Sequence, residues 1–260
     1  IIERDSDYKV VLGESMGEVE PILIQFTPIN KNHLLVVSNN QDVARHLFLT
    51  FVRCLLISKS RDSEFCTLSP FIFFLDYKIQ TRKAQKQDGL SELSDSTNDI
   101  IYARSDKSTV EVLNCLNEEY LRRENDSDKF NQPIFLLVFG LQNSSKIIDT
   151  FDGDHEDNDV GEVDLFDEKG IKESAGQIFK KLLQKGSQRN IFIITWMDSY
   201  QSVGKLDYGD HEYFGNKLIG RMSGEDSEKL IDSTVGETIN DEQLIYSDVN
   251  SETFKLKLYQ

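Results

Sequence analysis

The sequence predicts an α/β protein with a mostly parallel central sheet covered by helices on both faces and a β-hairpin at its C-terminal end. Dense apolar runs at 34–37, 70–75, 133–141 and 191–199 read as strands buried on both sides, the mark of parallel pairing. The segments between them return apolar residues at helical spacing, so each helix can pack back on the sheet. No repeat of fixed period is visible, which points to one unit across residues 1–260 rather than an array.

Composition narrows the function classes. The chain has 260 residues, 38% of them hydrophobic, and only four prolines, enough for a full core. Lys and Arg number 29 against 45 Asp and Glu, a net charge of −16. Such a surface repels nucleic acid and anionic membrane, so direct DNA binding by this chain is doubtful. Cys54, Cys66 and Cys115 lie far apart without metal-ligand spacing and read as reduced core residues of a cytoplasmic protein. No apolar run reaches membrane-spanning length, so no membrane insertion is expected. The chain starts at Ile1 with no initiator Met, as the C-terminal part of a longer protein would.

Taken in order, the runs at 10–12 and 22–26, divided by Gly13 and Gly17, fit a hairpin or a lead-in edge strand. Residues 33–56 form a strand (Leu34, Leu35, Val36, Val37), a polar turn (Ser38, Asn39, Asn40, Gln41, Asp42) and a helix with Val43, Leu47, Leu49, Phe51, Cys54 and Leu55 at helical spacing. That is the outline of a phosphate-binding unit without its chemistry. No glycine lets the backbone wrap a phosphate, and no Lys followed by Ser or Thr holds phosphate and magnesium.

After the strand at 70–75, residues 78–96 turn polar and read as a solvated, mobile loop. A short strand at 100–103 precedes a helix that Ser108-Thr109-Val110-Glu111 would cap, with Val112, Leu113, Leu116, Tyr120 and Leu121 on one face. The charged run 122–128 ends it, and 133–141 follows as the most apolar strand. Residues 149–168 hold ten carboxylates and no Lys or Arg, a disordered acidic loop by composition; the second mobile loop is set at 149–170. A calcium loop beginning at Asp152 fails, because Asp157 stands where Gly is needed and Val163 where a bidentate Glu is needed. The helix at 171–185, closed by Gly186, feeds the strand at 191–199. An aromatic loop (Tyr208, Tyr213, Phe214), a strand at 217–222, a helix at 224–233 and two terminal strands, around 244–246 and 254–259, complete the chain.

Several segments together resemble one family, the FtsK/SpoIIIE and HerA-like P-loop ATPase motor domain, whose members pump DNA and whose relatives drive the EssC/EccC type VII secretion systems. His33-Leu34-Leu35-Val36-Val37-Ser38 is similar to the family's "HLLVAG" strand. Residues 135–141 match the strand that ends in the magnesium-binding acid, and 191–195 the strand of the polar sensor. Phe214, Lys217, Met222, Ser223, Asp226, Ser227, Leu230, Ile231 and Asp232 resemble the family's "F-x-x-R-I-x-x-x-M/V-S…D-S-x-x-L/I-L-D" segment. The resemblance covers roughly residues 8–260 outside the two polar loops and implies a RecA-like fold.

It also implies a site from which the working groups are gone. The family glycines fall on Ser38, Gln41 and Val43, the lysine on Ala44, the Ser/Thr on Arg45, the acid on Phe139 and the late arginine on Lys217. The late glycine-rich turn becomes Glu237-Thr238-Ile239-Asn240. Such losses remove the nest of N–H groups, the charge neutralisation and the metal ligand together. The expectation is therefore a pseudo-ATPase with no catalytic residue, no metal and no required cofactor, holding ATP or ADP at most without hydrolysis. Its degenerate phosphate loop is Ser38, Asn39, Asn40, Gln41, Asp42 and Arg45. Lys217 and Arg221 are the residues that would reach a neighbouring subunit.

Expected partners are adjacent ATPase domains of the same chain or ring, and a protein partner or secreted substrate. Two other readings stay open: an active DNA translocase of an anti-phage or DNA-processing system, and the substrate-recognition domain of a type VII secretion motor. For Arg45, a surface position or a pairing with Asp42 competes with phosphate binding. Asp76 and Asp198, at strand ends, form a possible acidic pair, and Trp196 reads by default as core. A basic stripe from Lys180, Lys181, Lys185 and Arg189 would favour DNA.

Overall fold

The computed structural model describes residues 8–16, 21–61, 71–77, 89–125, 132–151, 173–206 and 209–258. In chain order these form β1 (Tyr8–Ser15), β2 (Pro21–Phe26), β3 (Leu34–Val37), α1 (Gln41–Arg61), β4 (Ile72–Asp76), α2 (Gly89–Ser96), β5 (Ile100–Ala103), α3 (Asp106–Asn125) and β6 (Ile134–Phe139). Then come α4 (Ser145–Ile148), α5 (Ala175–Lys185), β7 (Ile191–Met197), α6 (Tyr200–Val203), β8 (Asn216–Ile219), α7 (Gly224–Ile231), β9 (Gln243–Ser247) and β10 (Thr253–Leu258).

One ten-stranded sheet results, in the order β2-β1-β10-β9-β8-β3-β7-β6-β4-β5. The six strands from β8 to β5 are parallel, and β9, β10, β1 and β2 continue as an antiparallel wing. Strand periodicity divides the core into two layers. Leu34, Val36, Phe135, Leu137, Phe139, Phe192, Ile194 and Trp196 face α1 and the inner side of the wing. Leu35, Val37, Leu136, Val138, Ile191, Ile193 and Met197 face α3, α5 and α7. Because side chains alternate along a strand and both faces are covered, the central strands β3, β6 and β7 are apolar almost throughout.

The parallel sheet, its flanking helices and the C-terminal hairpin of β9 and β10 are as expected. Several local expectations are corrected. Residues 89–96, read as loop, form α2, with Leu93 packed against the core. Helix α3 begins earlier than Ser108: the Ser105 hydroxyl accepts from the Ser108 amide and the Ser108 hydroxyl accepts from the Ser105 amide, a reciprocal cap. Leu121 is exposed, and Cys115 lies on the open side of α3, so it is not a core cysteine. Helix α5 starts after Ser174, which makes a capping box with Gln177. Gly186 there is right-handed, and the left-handed turn into β7 is made by Asn190 (φ 57°). Ile171, Cys66, Tyr208, residues 78–88 of the polar loop and the acidic stretch with its calcium-like start at Asp152 lie outside the described residues.

The joining of the two ends of the chain is a further finding. β1 pairs with β10, Glu14 opposite Lys257. Glu14 is thereby an exposed residue of the wing. Gly13 sits at a register shift in β1, and a Cβ there would lie 2.2 Å from the Lys257 carbonyl oxygen, so only glycine allows this approach.

A buried chain of amides stitches the wing to the parallel block. Tyr246 Oη donates to Asn216 Oδ1 (2.7 Å), Asn216 Nδ2 to Asn32 Oδ1 (2.8 Å), and Asn32 Nδ2 to the Gln25 and Thr27 carbonyls (3.1 and 3.0 Å). Replacing Asn216 with Leu strands two of these buried groups. The expected loss is about 2–4 kcal/mol, read as a lower denaturant midpoint with an unchanged slope.

Candidate functional site

The carboxyl ends of β3, β7 and β6 form the edge where open α/β sheets take ligands, since β3 leads one way to β4 and has β8 on its other side. The turn from β3 into α1 is only Ser38-Asn39-Asn40. Asn40 is the N-cap: its Oδ1 accepts from the Val43 amide (3.1 Å) and its carbonyl from the Ala44 amide (3.1 Å). The Ser38 hydroxyl accepts from the Asn40 amide (3.2 Å), and the Ser38 amide donates to the Met197 carbonyl (3.1 Å). Four amides that an open loop could aim at an anion are thus used within the chain. Asp42 adds negative charge to the first turn of α1, which suits the helix dipole and repels a phosphate.

Gln41, Asp42 and Arg45, expected in the loop, therefore lie in α1. Ala44 is fully buried one turn in. The Ser38 side chain fills space beside β8, where a Cβ on Gly220 would lie 2.7 Å from the Ser38 hydroxyl. Its carbonyl accepts from Trp196 Nε1 (2.9 Å). Trp196 is core, stacked on Phe139 with ring centroids 4.4 Å apart.

Phe139, at the carboxyl end of β6, is one wall of a filled cluster. Phe48 of α1 meets it edge-on, and the Arg45 guanidinium lies 4.8 Å over its ring and 5.5 Å from that of Phe74. Arg45 then donates to the Asp76 carboxylate at the end of β4 (2.9 Å). A surface position or a pairing with Asp42 was expected for Arg45; it faces the sheet and takes the Asp76 carboxylate. Tyr102 also donates to Asp76, and Arg104 lies 3.8 Å away. Burial and the neighbouring carboxylate push the Tyr102 phenol up to about 12, so it stays a neutral donor. Tyr102 and Arg104 carried no site signal in the sequence, because what brings them to Asp76 is the pairing of β5 with β4.

Asp76 and Asp198 do not meet as a pair of free acids. Asp198 accepts from the Ser199 and Ser202 hydroxyls (3.0 and 2.5 Å) as the start of α6. Among the described residues no group of three or more His, Cys, Asp or Glu could hold a metal, and no helix is long and apolar enough to cross a membrane. Lys217 is turned inward: it donates to the Leu230 carbonyl at the end of α7 (2.8 Å), and burial lowers its pKa against the pull of Asp232 and Glu212. Arg221 is exposed, 3.8 Å from Asp241. In the basic helix, Lys181 is tied to Glu173 and Asn117, and Lys180 lies over Phe151.

No family model matches the chain, and no curated protein matches it by sequence. The likeness to solved structures is in three dimensions. ATPases 2 and 3 of EssC from Geobacillus thermodenitrificans superpose with a TM-score of 0.65 at 12% identity, covering 100% of this chain and 42% of that one. ATPases 2 and 3 of Thermomonospora curvata EccC, solved with a signal-sequence peptide, give 0.62 at 12% identity, over 98% of this chain and 41% of that one. The pCW3 conjugation coupling protein TcpA, solved with ATPγS, gives 0.61 at 10% identity, over 97% and 66%. The fold is that of the FtsK/SpoIIIE-type P-loop ATPases. The chain spans about two fifths of the EssC and EccC chains it matches. The cluster of Phe139, Arg45 and Asp76 lies beside the carboxyl end of β3.

His33, just before β3, is a core histidine. It is fully buried, its Nδ1 accepts from the Ile193 amide (2.8 Å), and burial lowers its pKa to about 3 despite the Leu183 carbonyl nearby. The folded chain keeps it neutral while the unfolded chain protonates it near 6.5. Its contribution is therefore complete above pH ~6.5 and is lost as pH falls toward 3, with a slope of about 1.4 kcal/mol per pH unit. Comparing the pH dependence of urea unfolding for the native chain and His33→Gln should show one proton fewer taken up by the variant on unfolding near pH 5.

Proposed function

We propose that this chain is a catalytically inert domain with the P-loop ATPase fold, acting as a scaffold, docking or regulatory unit beside ATPase domains of a larger cytoplasmic chain or ring. The observation that carries this reading is the state of the β3–α1 turn: the helix begins at Gln41, capped by Asn40, and the amides of Ser38, Asn40, Val43 and Ala44 are spent on partners within the chain. Phe139 stacked on Trp196 supports it, because an aromatic ring in the acid's place offers no ligand to magnesium. Setting of the domain among others draws support from EssC and EccC, whose solved chains contain ATPases 2 and 3 and extend well beyond the match. Arg221 is exposed, which is compatible with a contact to a neighbouring domain in this reading. A net charge of −16 counts against direct DNA contact.

Phosphate release from ATP, with and without magnesium, should stay at the level of a protein-free blank, and calorimetric titration with ATP or ADP should show no gain in affinity from magnesium. Ala44→Lys should also remain inactive. It should lower thermal stability by roughly 1–3 kcal/mol, because the position is packed on all sides. Magnesium-dependent turnover by the unaltered chain would overturn the proposal.

A further inference from the structure

The two ends of the ten-stranded sheet are built differently. At one end β5 is only four residues long, Asp99 and Arg104 flank it, and α2 packs beside it. Short length, charge and cover are the usual means by which an edge strand avoids pairing with another chain. At the other end β2 runs for six residues with no charge along it, and among the described residues it pairs only with β1. Its one protective feature is Pro21, at the first position. Pro21, Leu23 and Gln25 face outward in strict alternation with Ile22, Ile24 and Phe26, which face the core. Leu23, in the middle of the outward row, is 45% exposed. On β1, Lys9 stands opposite Gln25, Val11 opposite Leu23 and Glu14 opposite Pro21. Lys257 of β10 lies on the far side of Glu14. The open face beside β2 thus carries a cation at one end, an apolar pair in the middle and an anion at the other end.

We propose that β2 is an interface with a second copy of this chain: the two β2 strands pair antiparallel about a two-fold axis normal to the sheet at Leu23, joining two sheets into one. A two-fold contact brings the same patch of both copies together, so the patch must complement itself. Pairing centred on residue 23 sets Leu23 opposite its counterpart, with Cβ atoms about 5 Å apart, and Pro21 opposite Gln25 of the second copy. The register within each copy then fixes the rows that cross the seam. The middle row is Val11 and Leu23 followed by Leu23 and Val11 of the second copy, an apolar stripe that covers the exposed leucine. The rows on either side run from Lys9 through Gln25 and Pro21 of the second copy to its Glu14, so their ends carry opposite charge. Those ends are three strand spacings apart, about 14 Å, and they orient the copies more than they tighten the contact. A centre at Ile24 would set Leu23 against Gln25 and complete no such row. Each copy has a net charge of −16, yet no two like charges face each other across the seam. Amides and carbonyls that an edge strand directs away from its neighbour supply the hydrogen bonds. The inference goes beyond the inert reading and does not depend on it, since β2 ends the sheet and β3 lies near its middle.

Sedimentation equilibrium should show reversible exchange between 29.9 kDa and twice that mass. Dimer should predominate at about 100 µM, as suits a contact at the small end of interfaces. Leu23→Lys sets two ammonium groups against each other in the seam and should weaken the dimer at least about tenfold. Because residue 23 is exposed in the single chain, dilute samples of this variant and of the unaltered chain should melt alike. Leu23→Cys tests the register, since residue 23 meets only itself: mild oxidation should link two copies well above the background set by Cys54, Cys66 and Cys115 in the unaltered chain. Lys9→Cys, whose counterpart lies across the seam and at its other end, should stay at that background. A chain that remains monomeric to about 200 µM leaves the edge to a strand of some other polypeptide and overturns the proposal. So does a dimer of unchanged affinity in Leu23→Lys, or cross-linking through Lys9→Cys in place of Leu23→Cys. If Leu23→Lys does not fold, hydrogen exchange in the unaltered chain decides. Amides of β2 better protected in concentrated than in dilute samples support the pairing, and equal protection overturns it. ATP turnover would count against the inert reading alone and leave this test untouched.

Discussion

Strand β3 is paired along both edges, to β7 on one side and β8 on the other, and all four of its residues are buried. Parallel pairing on two sides leaves it no freedom of register, because a slip of one residue would exchange the side chains of two separate cores. The positions of everything beyond Val37 follow from that. The Ser38 amide must fall beside the Met197 carbonyl, Gly220 must approach Ser38, and α1 must depart at once to cover the face that Leu34 and Val36 present. A working phosphate loop would need slack between strand and helix; here three residues make the whole connection.

Filling the edge has an energetic logic of its own. Phe48, Phe74, Phe139 and Trp196 bury large rings in edge-on and stacked contacts, which stabilise by area and by ring geometry. An ion pair set among them is a different kind of element. Desolvating two charges offsets most of their attraction, so the pair adds little net stability compared with an apolar filling, yet loss of either partner costs about 3–5 kcal/mol. What such a pair supplies is a fixed position: α1 can settle over the sheet in one way only if Arg45 is to reach Asp76.

Much of this was legible in the residues. Strands 34–37, 72–76, 134–139 and 191–197 announce themselves because burial on both faces demands unbroken apolar runs. The absence of glycine and of a Lys-Ser/Thr pair from the 38–45 stretch is a fact of the residues themselves. The contacts of the site were harder. Arg45 and Asp76 are 31 positions apart and Tyr102 joins them only through the pairing of β5 with β4, which no local pattern encodes. The union of β1 with β10 is illegible for the same reason, as the two strands are polar on one face and come from opposite ends of the chain. Ser105 was overlooked as a cap because Ser108 and Glu111 offer an equally good match three residues later. Lys217 looked like a residue for a neighbour because spacing reports the strand and not the side on which α7 packs.

The close approach of Ser38 to Gly220 bears on how this edge could change over generations. A Cβ at 220 would lie 2.7 Å from the Ser38 hydroxyl, so the two positions share one small volume. Glycine at 38 would leave that volume empty and withdraw the acceptor from the Asn40 amide, loosening the cap of α1. A glycine at 38 therefore begins from a less stable chain, with a looser start to α1 and an unfilled space beside Gly220.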